Sequence, residues 1–352
     1  MTVRARALGC DCDSCPLKKR TPVIPKQVEN PTPSKIVLIA ETPAEEEERQ
    51  GQFLVGPTGT LLEDRILEPL GLRREEFHIT NALLCWPKDK KLSPDEWKQA
   101  VTSCFPRLER EMEQVGPTTI LTMGKWAYYA TTGVGRALSN VVGTPVETFF
   151  GAEAIATYHP AMLFRDRWQY LPVIRMHVQR AWQHACGTLP EWDWGPECIE
   201  VSPLALQYLN AMRYDDTVAV DIETTGIDPF RSKITAMGLS SKSASVSIPW
   251  HSYGGVDGVV ESADRLAIGI RKLVAQILQS PKHTKVFQNG IFDRTVMRAL
   301  GIKCAPPYWD TLHAHLLISP GTEHGLDFQA ATEFHAPRWK QTFRGSRKEM
   351  EK

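Results

Sequence analysis

At 352 residues, with 42% apolar and 23% charged side chains, the chain is long enough for two domains with real cores and has the composition of an ordinary globular protein. Its 41 basic and 41 acidic residues cancel, which argues against a uniformly basic nucleic-acid binder while leaving room for a local basic groove. No stretch approaches the roughly 20 apolar residues of a membrane span, no apolar signal core follows the basic N-terminus, and eight cysteines in a reducing compartment speak for metal or burial over disulfides, so a cytoplasmic protein without a membrane partner is expected.

The chain opens with Cys10, Cys12 and Cys15 and a basic, Pro-rich connector up to Pro33. From Lys35 to about Leu189, short apolar runs alternate with helical patterns. The expected strands are Lys35–Ala40, Phe77–Asn81, Thr118–Thr122 and Ala154–Tyr158, with helices at Thr60–Leu70 and Pro94–Gln114 among those between them. That alternation predicts a parallel sheet covered on both faces. The first strand leads into a carboxylate, Glu41. The chain then crosses an acidic loop, Glu45–Glu48, and returns through Gly56 and Gly59. In open α/β sheets ligands sit outside the carboxyl ends of strands, which is where Glu41 stands.

The Pro- and Gly-bearing segment Gly187–Pro196 breaks both periodicities and marks a boundary. The division expected is 1–190 for a first domain, 191–214 for a linker and 215–352 for a second. In the latter, Thr217–Glu223 reads as a strand, Ile234–Trp250 as two strands joined near Ser240–Ser243, and Lys285–Asn289 as another strand. Asp264–Ser280, Asp293–Leu300 and Asp310–Leu317 read as helices, and Arg338–Lys352 is charged and weakly patterned.

Two sets of residues carry chemistry. Cys12-Asp-Ser-Cys15 is a C-x-x-C pair, with Cys85 and Cys104 further on. Four thiolates can hold zinc or an iron–sulfur cluster, although Cys85 and Cys104 read equally well as small buried apolar residues. Cys10, Cys186, Cys198 and Cys304 read as non-ligands. In Ala219-Val-Asp-Ile-Glu-Thr-Thr-Gly226, the two-residue period of a strand puts Asp221 and Glu223 on one face, a platform for Mg²⁺ or Mn²⁺, and Gln288-Asn-Gly-Ile-Phe-Asp293 adds a third carboxylate.

The first half resembles the iron–sulfur (family 4) uracil-DNA glycosylases. The resemblance rests on five segments in order: Cys12-Asp-Ser-Cys15-Pro-Leu, Ala40-Glu-Thr-Pro-Ala44, Gly51-Gln-Phe-Leu-Val-Gly-Pro-Thr-Gly59, Ile79-Thr-Asn-Ala-Leu-Leu-Cys-Trp-Pro87 with Cys104 beyond it, and His159-Pro-Ala-Met-Leu-Phe-Arg165. It implies a parallel-sheet sandwich with a [4Fe–4S] cluster on Cys12, Cys15, Cys85 and Cys104. It also implies Asn81 reading the edge of a flipped uracil, His159 donating to uracil O2, and Glu41 acting on water or on the cationic sugar. Ala40 and Ala44 stand where the family has glycines. Leu54 stands where it has the stacking aromatic, with Phe53 one place earlier.

The second half, from Thr217 to about Phe334, resembles the DEDD-type 3′–5′ exonucleases, specifically the proofreading domain of family A DNA polymerases. Asp221-Ile-Glu-Thr-Thr-Gly matches the first exonuclease motif and Asn289-Gly-Ile-Phe-Asp293 the second. An RNase H-like fold follows, with two-metal hydrolysis on Asp221, Glu223 and Asp293, and Asn289 beside the substrate. Neither Tyr-x-x-x-Asp nor His-x-x-x-x-Asp follows Asp293, so this domain is expected to be incomplete. Some phage family A polymerases are similar throughout. The expectation is therefore the front part of such an enzyme, acting on single-stranded DNA or 3′ ends, with a polymerase segment encoded separately. The alternatives are a stand-alone uracil-excising repair enzyme and a DNA-binding or assembly module with both sites dead.

Overall fold

The computed structural model describes residues 2–88, 91–190, 198–200, 203–250, 265–334 and 336. It divides into two compact units: residues up to Trp192 together with the segment that starts at Asp327, and Asp193–Leu326.

In the first unit, Thr2–Ala7 (α1) precedes the cysteine loop and Lys26–Glu29 (α2) is a single turn. Ile36–Ala40 (β1), His78–Asn81 (β2), Thr119–Met123 (β3), Pro145–Glu147 (β4) and Glu153–Thr157 (β5) form one sheet in the order β2-β1-β3-β5-β4. β1, β2, β3 and β5 run parallel, and β4 is an antiparallel edge. β1 and β3 are buried at every position, as strands covered on both faces must be. The crossover helices are Glu45–Gln50 (α3), Pro57–Leu61 (α4), Pro94–Val115 (α5), Lys125–Thr132 (α6) and Leu171–Ala185 (α7). Ser93 starts α5 with a reciprocal cap: its Oγ accepts from Glu96 N at 3.2 Å, and its own N–H donates to Glu96 Oε2 at 2.9 Å.

The second unit holds Cys198–Glu200 (β6), Pro203–Met212 (α8), Thr217–Thr224 (β7), Ile234–Ser240 (β8), Ser245–Pro249 (β9), Arg265–Gln279 (α9), Thr284–Phe287 (β10), Gly290–Ala299 (α10), Tyr308–Asp310 (β11) and Thr311–Ile318 (α11). Its sheet runs β11-β10-β7-β8-β9-β6. β7, β8 and β9 form an antiparallel meander, while β10 and β11 lie parallel on the other side of β7. β7 alternates strictly, with Val218, Val220 and Ile222 buried and the residues between them exposed, so its carboxylates face outward.

Four features depart from the expected layout. The acidic run Glu45–Glu48 is helical, within α3. The expected helix Thr60–Leu70 is three pieces: α4, a wide i→i+5 turn over Leu62–Leu67 and a tight turn at Glu68–Leu70. The expected linker 191–214 contains β6 and α8, and Ala205, Leu209 and Met212 of α8 are buried in the second core. At the other end, 215–352 is not one unit. Leu326–Phe334 (α12) places Phe328 in the first core at 1% exposure, and Arg180 donates to Ala331 O. An apolar helical pattern shows that a face will be covered, but not which core covers it. The stretch Arg338–Lys352 lies outside the described residues.

The largest buried polar group of the first unit is Arg107 on α5, 1% exposed. Its Nη1 donates to Glu111 Oε2 at 2.6 Å and Thr80 Oγ1 at 3.1 Å, and its Nη2 to Asn81 O at 2.7 Å and Ala82 O at 3.1 Å. Glu111 also meets His78 Nε2 at 2.8 Å. Breaking one member of a buried ion pair costs about 3–5 kcal/mol. Arg107→Met is therefore expected to lose stability of that order in urea unfolding, and Arg107→Met with Glu111→Leu to recover most of it. Equal losses in the single and double variants would contradict the pairing.

Candidate functional site

Three side chains gather at the carboxyl ends of parallel strands. Glu41 follows β1, Asn81 ends β2 and His159 follows β5, and β1 and β2 are in register with Ala40 opposite Asn81. The Glu41 carboxylate accepts from Trp126 N at 2.9 Å and also from Lys125 N, the first N–H groups of α6. Burial pushes its carboxyl above the ordinary range, and those two donors oppose the rise. Gly124 makes this docking possible. It has φ +101°, and a Cβ there would lie 2.6 Å from Glu41 Cδ.

Asn81 is 1% exposed, and its Oδ1 has no hydrogen-bond partner among the described residues. Its backbone carbonyl is held by Arg107, so the side chain departs from a fixed strand end. A buried amide oxygen left open is costly unless something fills it. Nδ1 of His159 accepts from Ala161 N at 3.3 Å. Burial, then the nearby Arg165 charge, lower its pKa to about 4. The ring is therefore neutral at pH 7 and carries its proton on Nε2, where it can donate.

Phe53 and Leu54 sit deeper than the sequence suggests. Phe53 is 1% exposed within the core, so it offers no open ring face, and Leu54 has φ +48°. Arg74 donates to both carbonyls, at 2.6 Å for Leu54 O, and pairs with Glu63 at 2.9 Å. Gly59 closes the turn from the other side, where a Cβ would come within 1.8 Å of Leu54 O. Glu47 was unexpected: it is buried, accepting from Val55 N at 3.0 Å, Gly56 N at 2.9 Å and Ala44 N at 3.0 Å. Its place in a run of four glutamates hid it.

The four expected thiols, Cys12, Cys15, Cys85 and Cys104, line one cavity, and Cys10 joins them. Cys10, read from sequence as a non-ligand, is in side-chain hydrogen-bond contact with Cys104. Among the described residues no three His, Cys, Asp or Glu side chains converge closely enough for a single ion. Four thiolates, each binding a different iron, are the donor set of a [4Fe–4S] cluster, and four of the thiols on this cavity can supply it. Leu17 N donates to Cys15 Sγ at 3.4 Å, and Leu84 N donates to Cys104. Burial raises the thiols of Cys12 and Cys85, and that of Cys15 to about 11, so as thiolates they need a cation beside them. The donor set fits.

In the second unit, Asp221 and Glu223 lie on the exposed face of β7. Asp293 on α10 is 6% exposed and accepts from Ile222 N at 3.3 Å. Burial, then the Asp221 charge, push its carboxyl up to about 6. The three carboxylates do not converge on a single-ion site in this arrangement. Asn289, at φ +59°, does not present a cap. Its N–H instead donates to Asp310 Oδ1 at 3.1 Å, while Gly290 N donates to Asp310 Oδ2 at 2.8 Å and Leu312 N to Oδ1 at 3.0 Å. Asp310 was not among the expected site residues. The Asp-Thr pair opening a helical pattern was the available signal, since aspartate is a favoured N-cap.

Residues 27–185 match the family model of the uracil DNA glycosylase superfamily, and residues 197–343 match a 3′–5′ exonuclease model. The type-4 uracil-DNA glycosylase of Thermotoga maritima is 33% identical over 158 residues, covering 44% of this chain and 79% of that protein. The chain belongs to the type-4 uracil-DNA glycosylase family. The type-4 enzyme of Sulfurisphaera tokodaii is 32% identical, covering 43% of this chain and 70% of that one. In the second half, DNA polymerase I of a Synechocystis species is 30% identical over 116 residues, which is 32% of this chain and 11% of that protein. Among solved structures, Brucella melitensis NrnC is 21% identical at TM-score 0.30, covering 40% of this chain and 59% of that one. A type-4 glycosylase domain is thus fused to a 3′–5′ exonuclease domain.

Gly124→Ala is expected to displace the Glu41 carboxylate and cost about 1–3 kcal/mol, because the side chain meets both a positive φ and an occupied site. Adding Glu41→Gly is expected to return part of that stability in thermal unfolding. No recovery would show that Gly124 is needed for its conformation alone.

Proposed function

We propose that the first unit excises uracil from DNA and that the second hydrolyses DNA from a 3′ end. The carrying observation is the open, buried Oδ1 of Asn81 at the end of the edge strand β2, with Glu41 after the neighbouring β1 and the neutral His159 after β5 at the same end of the sheet. An amide can accept from uracil N3–H through Oδ1 and donate to O4 through Nδ2. As the glycosidic bond breaks, negative charge grows on the base, and a neutral imidazole Nε2–H placed at O2 stabilises it without first giving up its proton. Glu41, docked on the start of α6, is set to steady positive charge on the sugar or to orient water. A [4Fe–4S] cluster on Cys12, Cys15, Cys85 and Cys104, when bound, supplies a cross-link. Through these four residues the α1 loop and α5 would be tied to the segment after β2, without a redox part in excision.

In the second unit Asp221, Glu223 and Asp293 would hold Mg²⁺ or Mn²⁺, with Asn289 beside the strand to be cut. Bound metal supplies an activated water and steadies the leaving 3′ oxygen. Asp293 is buried against β7 beside the Asp221 charge, with backbone N–H groups as its compensation, so a bound cation would favour its ionised form. The polymerase I match makes a family A polymerase activity the expected partner, and DNA the shared substrate.

Uracil-containing single-stranded DNA, incubated with the protein and then cleaved at abasic sites by alkali, tests the first reading. Product is expected from the wild type, with a loss of about 10²–10³-fold in His159→Ala. Excision is expected to show no titration near pH 6.5, because burial keeps His159 neutral down to about pH 4. No product from the wild type would overturn the reading in favour of a non-catalytic DNA-binding module.

Manganese binding tests the second. The folded-state pKa of Asp293 is raised from 3.8 to about 6, so between those values the folded site holds a proton that metal must displace. Mn²⁺ affinity, followed by electron paramagnetic resonance, is expected to fall as pH drops below about 6, and that step to vanish in Asp293→Asn. A step unchanged in the variant would remove Asp293 from the metal site.

A further inference from the structure

A cluster with four irons takes four thiolates, and this cavity is lined by five cysteines. We propose that Cys10 is a reserve cluster ligand, able to take the iron of Cys12. The inference rests on the reading that the cavity holds a [4Fe–4S] cluster.

Cys10 is built into its place. It follows α1, and its N–H donates to Ala5 O at 3.1 Å. Gly9, at φ +102°, turns the chain with the Arg110 guanidinium packed over it, 3.0 Å from where a Cβ would stand. Asp11 N donates to Ser103 O at 2.8 Å, stitching the loop to α5 one residue before Cys104. The outcome is a thiol 6% exposed, in hydrogen-bond contact with Cys104. A surface cysteine left by chance has no need of such anchoring.

Cys12 is the natural exchange partner. Its N–H donates to Cys10 O at 3.1 Å, so both side chains leave one tight turn. Cys12 is only half-buried, whereas Cys10, Cys15 and Cys104 are buried, so solvent reaches the Cys12 corner more readily than those three. Cys85 is also half-buried but sits on the strand-end loop, away from this turn. The exchange balances without an oxidant. The iron–sulfur bond to Cys12 breaks, one to Cys10 forms, and the Cys10 thiol proton passes to the departing Cys12 thiolate. No electron moves.

The test is anaerobic reconstitution of the full chain with iron and sulfide, followed by iron and sulfide analysis and absorbance near 400 nm. The wild type, Cys10→Ala and Cys12→Ala are expected to hold equal iron per chain. Cys15→Ala and the Cys10→Ala/Cys12→Ala double variant are expected to lose it. If Cys12→Ala falls to the level of Cys15→Ala, Cys10 is no reserve and the proposal is overturned. An iron-free wild type would instead overturn the cluster reading itself, and the inference with it. Thiol alkylation read by mass spectrometry covers the case of a poorly folding variant. In the loaded wild type Cys10, free of iron but only 6% exposed, is expected to be alkylated slowly by iodoacetamide over hours, and Cys12 to be spared. In loaded Cys12→Ala, Cys10 is expected to become protected until a chelator strips the iron. Continued labelling of Cys10 in that loaded variant would exclude it as a ligand.

Discussion

The guanidinium of Arg107 is the constraint on which the first unit depends. It is fully enclosed, and each of its bonds ends on β2, on the two carbonyls around its end, or on Glu111 of its own helix. Burying such an ion pair is costly, and hydrophobic replacements are often as stable or more so. Its value here is positional. Cys104 lies one turn before Arg107 on α5, so the helix that carries a cavity cysteine is fixed against the strand end that carries Asn81. Glu111 extends the same seam to His78 and Thr80. A shift of α5 along β2 would break the seam and move the cysteine cavity and the amide together.

The same device recurs at smaller scale. Glu47 gathers three backbone N–H groups from the two ends of the loop that leaves β1. Asp310 gathers those at the starts of α10 and α11, just beyond β10 and β11. Glu41 takes the first N–H groups of α6. In each case an anionic side chain occupies a helix start near a strand end, where unpaired donors and the helix dipole favour negative charge. The loops that follow parallel strands are thereby held without secondary structure of their own, as binding loops on a rigid scaffold must be.

This explains what could be read in advance. The strand ends were legible because buried parallel strands are apolar runs, and Glu41, Asn81 and His159 stand at the points where those runs stop. Asp221 and Glu223 were legible because period two puts them on one face of β7. The holding residues were not. Glu47 differs from Glu45, Glu46 and Glu48 only in facing inward on a short helix, and a run of like residues carries no period. Arg107 sits in a helix whose amphipathic pattern reads an arginine as solvent-facing. Phe328 signals burial without naming its core. Cys10 stands one residue outside a C-x-x-C pair, and only the turn at Gly9 reveals that it points into the same cavity.

The turn at Leu54 is where the sequence departs from the pattern it resembles. Leu54 stands where the resemblance puts a stacking aromatic, and its backbone is held in the left-handed region by Arg74 on one side and Gly59 on the other. The turn is thus firmly built although it carries no aromatic ring at Leu54. Base–aromatic stacking is worth about 1–3 kcal/mol, and it acts on the flipped base before and after bond cleavage alike. An interaction made equally in ground and transition states weakens binding without slowing the chemical step. His159 and Glu41, the groups proposed to act as charge develops, stand at strand ends apart from this turn. Under the proposed reading, the substitution therefore bears on capture of the base and leaves the bond-breaking step to groups it does not touch.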